Sequence, residues 1–268
     1  MSSIRAQVEE LGSWITGFEF EGTRYGGDYF PNDDSRVLRF VDAFRQWLRE
    51  LPDRRRALRI LECGCLEGGH TALLAKAFPE AEIVATDLRE ENLRKARFLV
   101  SLYGLHNVRW LQDDFSSPHT VFCQEYDAIF CVGLLYHLRD PANFLKRTAQ
   151  LTNFLWLWTV ICAEAEASIT EAEFRGRMLG ETPDHPLSGA QPQSFLPTLG
   201  SLTDMLFASG FKIVRLLQKE MTSNNMAHAF FCRRTASRSP AGCPNIPSAV
   251  AQSARFRFSK QNRGTRAG

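Results

Sequence analysis

Four stretches of this sequence end in residue types that can do chemistry. The run Arg59-Ile-Leu-Glu-Cys-Gly-Cys-Leu-Glu-Gly-Gly-His-Thr71 carries glycines at 64, 68 and 69 beside Glu62 and Cys65. Glycine lets a backbone close on a ligand because no Cβ stands in the way. Asp87 closes the run Glu82-Ile-Val-Ala-Thr-Asp87, where a carboxylate can accept two hydrogen bonds, as vicinal ribose hydroxyls require. Asp113-Asp114-Phe115 follows Asn107-Val-Arg-Trp-Leu-Gln112. Val132-Gly-Leu-Leu-Tyr-His-Leu138 follows Tyr126-Asp-Ala-Ile-Phe-Cys131. His137 titrates near neutrality, so it could take a proton from a hydroxyl or amine, although a histidine at the start of a helix is as often a packing or capping residue.

The elements that must hold these residues follow from periodicity. Leu58 to Leu61 is a short apolar run, and Leu73, Leu74, Ala77 and Phe78 fall at helical spacing, so strand, glycine turn and helix come in order. A second buried strand at 82–87 completes a βαβ unit whose acidic end suits a nucleotide-like cofactor. Leu93, Ala96, Val100 and Tyr103 predict a helix over 90–103, capped by Gly104. Strands over 107–112, 126–131 and 153–162 and a helix over 141–151 continue the alternation. Phosphate ligands are disfavoured. Leu66 stands where a dinucleotide fingerprint needs its second glycine, and no Gly-Lys-Ser/Thr follows the turn as a Walker loop requires. The common ligand that remains has an adenosine and an amino acid but no phosphate, S-adenosylmethionine.

Glu62-Cys-Gly-Cys-Leu-Glu-Gly68 resembles the first motif of the class I S-adenosylmethionine-dependent methyltransferases, and later segments match in the same order. The resemblance implies an α/β, Rossmann-like fold. Its sheet is seven-stranded and mostly parallel, in the order 3-2-1-4-5-7-6 with the last strand antiparallel, and helices cover both faces. It implies cofactor contacts from Glu62, Gly64, Cys65 and Gly68, from Asp87 and Leu88, from Asp113, Asp114 and Phe115, and from Cys131. Glu62 would hold the methionine portion or orient the loop, Asp87 the ribose, and Asp114 in preference to Asp113 the adenine amino group. Gly133-Leu-Leu-Tyr-His-Leu138, with Asp140-Pro141 opening the next helix, resembles a subgroup that includes the bacterial tRNA wobble-uridine carboxymethyltransferase. There the matching tyrosine lies close to the transferred group, which points to Tyr136 beside His137 as the catalytic candidates. The implied products are a methylated acceptor and S-adenosyl-L-homocysteine, with no metal required.

The rest of the chain frames this unit. Ile4, Val8 and Leu11 predict a short opening helix. Residues 14–29 are rich in aromatics and glycine, either a substrate lid or a loop packing on the core. Asn32-Asp-Asp-Ser35 supplies caps for a structural helix with Val37, Phe40, Val41, Phe44, Trp47 and Leu48 on one face, stopped by Pro52. Asp53-Arg-Arg-Arg56 is a solvated connection. Residues 163–200 break the pattern with Gly180, Pro183, His185, Pro186, Gly189, Pro192 and Pro197, a composition that predicts a lid-like loop. Ser194 to Phe211 resembles the family's last helix, and strands over 212–217 and 226–233 close the fold. The organisation expected is an N-terminal cap over 1–56, a methyltransferase domain over 57–234 with its insertion at 163–200, and a disordered basic tail over 235–268.

Composition narrows the partners. At 268 residues with 44% hydrophobic content, one substantial α/β core can be buried. The net charge is +2, but residues 233–268 hold eight basic side chains and no acidic one, which leaves residues 1–232 at −6. An acidic body disfavours a large nucleic acid, whose affinity rests on phosphate neutralisation. A small-molecule O- or N-acceptor is therefore expected, with an RNA-modifying enzyme or a catalytically silent cofactor binder as alternatives. Seven cysteines without Cys-x-x-Cys spacing read as buried free thiols. The chain lacks a signal-like N-terminus and an apolar run long enough to span a bilayer, so a soluble, cytoplasmic protein is expected.

Overall fold

Alternation along the central strands explains the layering. In the computed structural model, Ile60, Ile83 and Ala128 pack into one apolar cluster, while their neighbours Leu61, Val84 and Ile129 pack into another. Successive strand residues point to opposite faces, so the sheet is buried on both sides. Helices α2 (Ser35–Arg49) and α3 (Gly69–Ala77) cover the first face through Phe40, Phe44, Leu74 and Ala75. Helices α5 (Pro141–Leu151) and α6 (Leu199–Ala208) cover the second through Phe144, Leu145, Leu202 and Leu206. The structure describes residues 3–28, 34–51, 57–116, 124–221 and 226–234, all within a compact unit assigned to Met1–Arg238.

The main sheet comprises β3 (Arg59–Cys63), β4 (Glu82–Asp87), β5 (Val108–Gln112), β6 (Ala128–Val132), β7 (Phe154–Ile161), β11 (Ile213–Met221) and β12 (Met226–Arg233). Their order is β5-β4-β3-β6-β7-β12-β11, and only the pairings of β12 are antiparallel. In order of appearance this is 3-2-1-4-5-7-6, the topology expected. All eight residues of β7 are buried, as the centre of a covered sheet requires. Helix α4 (Glu90–Leu102) follows β4 and packs Leu93 and Ala96 against Cys65 and Ala85. Helix starts follow their caps. Asp34 accepts from the Arg36 amide at 2.9 Å, and Asp140 accepts from Asn143 ahead of Pro141.

Two segments depart from the expectation. Residues 14–28 are not a simple loop. After α1 (Ile4–Glu10) they form a hairpin, β1 (Gly17–Phe20) with β2 (Thr23–Gly26), that buries Trp14 and Phe18 with Val8 and Leu99. Nor is the insertion irregular throughout, because β8 (Ile169–Glu171), β9 (Phe174–Gly180) and β10 (Gln193–Pro197) make an antiparallel sheet. Glycine and proline concentrate at 180–192, and 181–192 is the longest stretch of the insertion without strands; its flanks pair. Ser194 to Pro197 therefore belongs to β10, where Phe195 and Leu196 are buried, and α6 begins only at Leu199.

Five cysteines, at 63, 65, 131, 162 and 232, are buried free thiols. The expectations for the connection 53–56, for the tail 235–268, and for Tyr29, Asn32, Asp33, Cys123 and Cys243 lie outside the described residues. No helix among the described residues is long and apolar enough to cross a membrane.

Candidate functional site

Four parallel strands deliver their carboxyl ends to one cavity of about 340 Å³. Its wall includes 64–66 after β3, 87–89 after β4, 113–116 after β5, and 132–134 with 136–138 after β6. Strand order reverses between β3 and β6, the switch point where open α/β sheets bind ligands. Trp158 of β7, Arg36 of α2, Ile15, Thr16 and residues 186–191 of the insertion complete the wall.

The glycine turn is built for close packing. Gly68 caps α3 at φ +83°, and a Cβ there would lie 2.8 Å from both Cα and Cβ of Ala96, so the turn could not seat against α4 with any other residue. Leu66 adopts φ +50° and donates its N–H to Asp87 Oδ2 at 2.9 Å. Asp87 Oδ1 accepts from the Arg89 amide at 2.9 Å and from Asn92 at 3.0 Å. Burial pushes the Asp87 carboxyl upward while these donors pull it back. A carboxylate offers about four acceptor positions, so three donors leave room for about one more.

Of the residues expected to contact a cofactor, Gly64, Cys65, Asp87, Leu88, Asp113, Asp114 and Phe115 line the cavity. Asp114 Oδ1 also accepts from the Ser116 amide and hydroxyl at 2.9 and 2.6 Å, while Asp113 is 4% exposed. Glu62, Gly68 and Cys131 lie behind the wall. Glu62 is 1% exposed, its Oε2 accepts from the Thr71 hydroxyl at 2.6 Å, and burial, followed by the Asp87 charge, pushes its carboxyl up to about 8 against that hydrogen bond. Three carboxylates on the wall, Asp87, Asp113 and Asp114, would repel a pyrophosphate. They suit the hydroxyl and amino groups of adenosine, so the donor set fits S-adenosylmethionine. Among the described residues no group of three or more His, Cys, Asp or Glu side chains is placed to hold a metal ion.

Tyr136 and His137 also line the wall, their ring centroids 4.1 Å apart, with Trp158 edge-on to Tyr136. Burial pushes the Tyr136 phenol up to about 12, so it stays protonated and donates. His137 Nδ1 lies 3.0 Å from Oε1 and 3.2 Å from Oε2 of Glu181, whose side chain is 3% exposed. A carboxylate only accepts, so Nδ1 carries the hydrogen and Nε2 keeps its lone pair. Burial lowers the His137 pKa and Glu181 offsets part of that fall. The imidazole is thus neutral at pH 7.

Several residues here escaped the sequence. Glu67 is fully buried, accepts from the Ile15 and Thr16 amides at 2.9 and 2.7 Å, and pairs with Lys95 at 3.0 Å. Lys95 also donates to the Ser13 carbonyl at 2.5 Å, so this pair ties the N-terminal segment to the glycine turn. His70, expected only to start a helix, lines the cavity with Nε2 2.8 Å from Asp34, which also holds Arg36 in a bidentate pair. Arg36 lies over Trp158 at 4.9 Å. Glu181 had no signal, being one acid among several in an irregular stretch. His185 does not line the cavity; its Nδ1 accepts from the Leu187 amide.

Comparison with known proteins accords with this geometry. Residues 60–153 match the model of a family described as "Methyltransferase domain". The chain is 29% identical over 180 residues to a trans-aconitate 2-methyltransferase of Azoarcus sp. (strain BH72), covering 65% of this chain and 66% of the relative. It is 30% identical over 153 residues to a ubiquinone biosynthesis O-methyltransferase of Proteus mirabilis, covering 56% and 58%. The matches thus span between about half and two thirds of these curated relatives. The solved N-terminal domain of EvdMO1, crystallised in the presence of SAH and D-fucose, superposes with a TM-score of 0.73 at 29% identity, covering 87% of this chain and 96% of that one. Residues 60–153 thus match a methyltransferase domain, and the 3-2-1-4-5-7-6 sheet is consistent with the Rossmann-like fold of class I S-adenosylmethionine-dependent methyltransferases.

Proposed function

We propose that this protein methylates a hydroxyl oxygen of a small-molecule acceptor, with His137 as general base. The observation that carries the reading is the His137–Glu181 pair on the cavity wall, a neutral imidazole with its tautomer set by a buried carboxylate. When bound, S-adenosylmethionine supplies a methyl carbon activated by a sulfonium, which departs as the neutral thioether of S-adenosylhomocysteine. The acceptor oxygen forms the new C–O bond as the C–S bond breaks. His137 Nε2 takes the acceptor's proton, and Glu181 stabilises the imidazolium. Tyr136 and Trp158 exclude water beside the transfer line, and Asp87 with Asp113 or Asp114 positions the nucleoside.

The two curated relatives are named for transfer to a carboxylic acid and in ubiquinone biosynthesis, and the structural neighbour was crystallised with a sugar present. These names support a small, oxygen-bearing acceptor. The finer likeness of residues 133–138 to the tRNA carboxymethyltransferase subgroup bears on the Tyr-His wall, and the −6 charge of residues 1–232 favours a small acceptor over tRNA.

The test titrates S-adenosylmethionine and S-adenosylhomocysteine calorimetrically into the full chain. It then follows labelled methyl transfer to a panel of neutral sugars, catechols and polycarboxylic acids, with tRNA as a further arm. Micromolar cofactor binding and turnover on one small acceptor are expected, with an acid limb below pH 6.5 that His137→Ala abolishes together with most of the rate. Cofactor binding without transfer to any acceptor would favour a silent binder, and transfer to tRNA alone would overturn the small-molecule reading.

A further inference from the structure

The carboxylate of Glu181 has more than one task. Besides His137, it accepts from the Gly189 amide at 3.0 Å and from the Ser194 hydroxyl at 2.9 Å. Gly189 sits so close that a Cβ on it would lie 2.4 Å from the His137 carbonyl oxygen. The strandless stretch 181–192 therefore begins at Glu181, crosses the cavity through residues 186–191, and is fastened back onto the same glutamate. A second tie comes from Arg89, whose guanidinium donates to the Pro183 carbonyl at 2.5 Å. Its other hydrogen bonds run mostly within the stretch, as from Glu181 to Pro192 and from Ser188 to His185, so these two side-chain ties fasten it to the body, as suits a segment that opens and closes.

We infer that residues 181–192 form the lid of the acceptor pocket and that Glu181 is its clasp, so that closing the lid and setting the tautomer of the base are one event. Glu181 is a positioning residue in this scheme. With the lid shut, its carboxylate takes the Nδ1 hydrogen and leaves the lone pair on Nε2. With the lid open, the imidazole faces water and reverts toward the Nε2–H form that free neutral histidine favours, which holds a proton where the base must accept one. Ligand that stabilises the closed lid thereby creates the base, and the enzyme spares its methyl donor until an acceptor is enclosed. This inference rests on His137 being the base for its catalytic meaning, but the coupling between lid and imidazole is measurable without turnover.

Coupling of this kind is reciprocal, so each side can be perturbed while the other is read. In the full chain, with S-adenosylhomocysteine added as the probe, hydrogen exchange reports on 181–192 and nitrogen-15 spectra of labelled histidine report the His137 tautomer, assigned by its loss in His137→Ala. His137→Ala removes one charge-assisted bond from the clasp, so exchange at the Gly189 amide should quicken by about tenfold. Arg89→Met frees the lid at Pro183, so it should speed lid exchange and move His137 toward the Nε2–H tautomer; because the Arg89 charge itself lowers the His137 pKa, the tautomer is read at pH 8, where the imidazole is neutral in both proteins. Glu181→Gln, nearly isosteric, should do both and guards against misfolding. Faster lid exchange in Arg89→Met with an unchanged tautomer would overturn the coupling, as would lid exchange indifferent to His137→Ala. If both responses occur yet His137→Ala turns over normally, the clasp stands and the base assignment fails.

Discussion

Glu62→Gln separates two roles that one buried carboxyl could play. In the structure the Glu62 carboxyl accepts from the Thr71 hydroxyl through Oε2, its Oε1 is buried without a hydrogen-bond partner among the described residues, and burial raises its pKa from 4.5 to about 8. The native state then keeps a proton that the unfolded chain releases above pH 4.5. The sign follows directly: stability from this group is fully present below pH 4.5 and declines as pH rises through about 8. Each pH unit in that window is worth about 1.4 kcal/mol, so the wild type loses up to about 4 kcal/mol between pH 5 and pH 8 through Glu62. Glutamine keeps the shape and the acceptor for Thr71 but cannot ionise. Urea unfolding of both proteins at pH 5, 6, 7 and 8 should give curves that diverge, with Glu62→Gln near wild type at pH 5 and more stable by about 3 kcal/mol at pH 7, an upper figure for a group that can relax or hydrate. Parallel curves would refute the buried neutral acid. A second reading comes from titrating S-adenosylhomocysteine in buffers of different ionisation enthalpy. If Glu62 turns to hold the methionine ammonium, binding at pH 7 releases close to one proton in the wild type and none in Glu62→Gln. If it only orients the turn through Thr71, neither protein releases one.

Asp87→Ala should weaken S-adenosylhomocysteine binding by about 1–3 kcal/mol through a lost charge-assisted hydrogen bond, measured by calorimetry, and an unchanged affinity would remove the ribose assignment. Because Asp87 also accepts from the Leu66 amide, Asp87→Asn should recover part of the loss if the turn's shape is what matters. Lys95→Met leaves Glu67 buried without its cation and frees the Ser13 carbonyl, so it should cost about 3–5 kcal/mol in urea unfolding, whereas Lys95→Met with Glu67→Gln should recover much of it. Equal destabilisation in the single and double variants would show the pair to be no more than a packing contact.

What the sequence shows of this molecule depends on how far apart the interacting residues lie. The cofactor half is written locally. Glu62 lies in β3 just ahead of the turn that holds Gly64 and Gly68, Asp87 ends β4 and Asp113 follows β5, and each strand is announced by its apolar run, so periodicity carries them to one sheet edge. The strand order came from the family resemblance and not from these runs, and the sheet has that order. Residues 163–200 misled because composition averages over two behaviours. Gly and Pro at 180–192 mark a true irregular segment, but Phe174 to Gly180 and Gln193 to Pro197 pair across it, and pairing partners leave no local mark.

The acceptor half is non-local, and this is why His137 was visible while its partner was not. His137 follows a strand that announces itself; Glu181 meets it from 44 positions away, and Asp34 meets His70 from 36. In each case the acid reaches the histidine from an element that reads as plain surface helix or loop. A buried carboxylate beside a histidine costs desolvation that only a positioned donor offsets. Glu181, at 3% side-chain exposure, has three such donors, so its burial is specified by the site and not by its neighbours in the chain. The same reasoning orders the two halves in function. On the proposed reading the cofactor residues, set at the ends of sheet strands, stand without the loop, whereas the acceptor site is completed only when residues 181–192 are down. Substrate preference should therefore move with changes in 181–192 while cofactor affinity does not. Exchanging residues 186–188 for Gly-Ser-Gly should leave S-adenosylhomocysteine affinity within about threefold and shift the acceptor's KM by at least about tenfold; a cofactor affinity that falls in step would show the two halves to be one site.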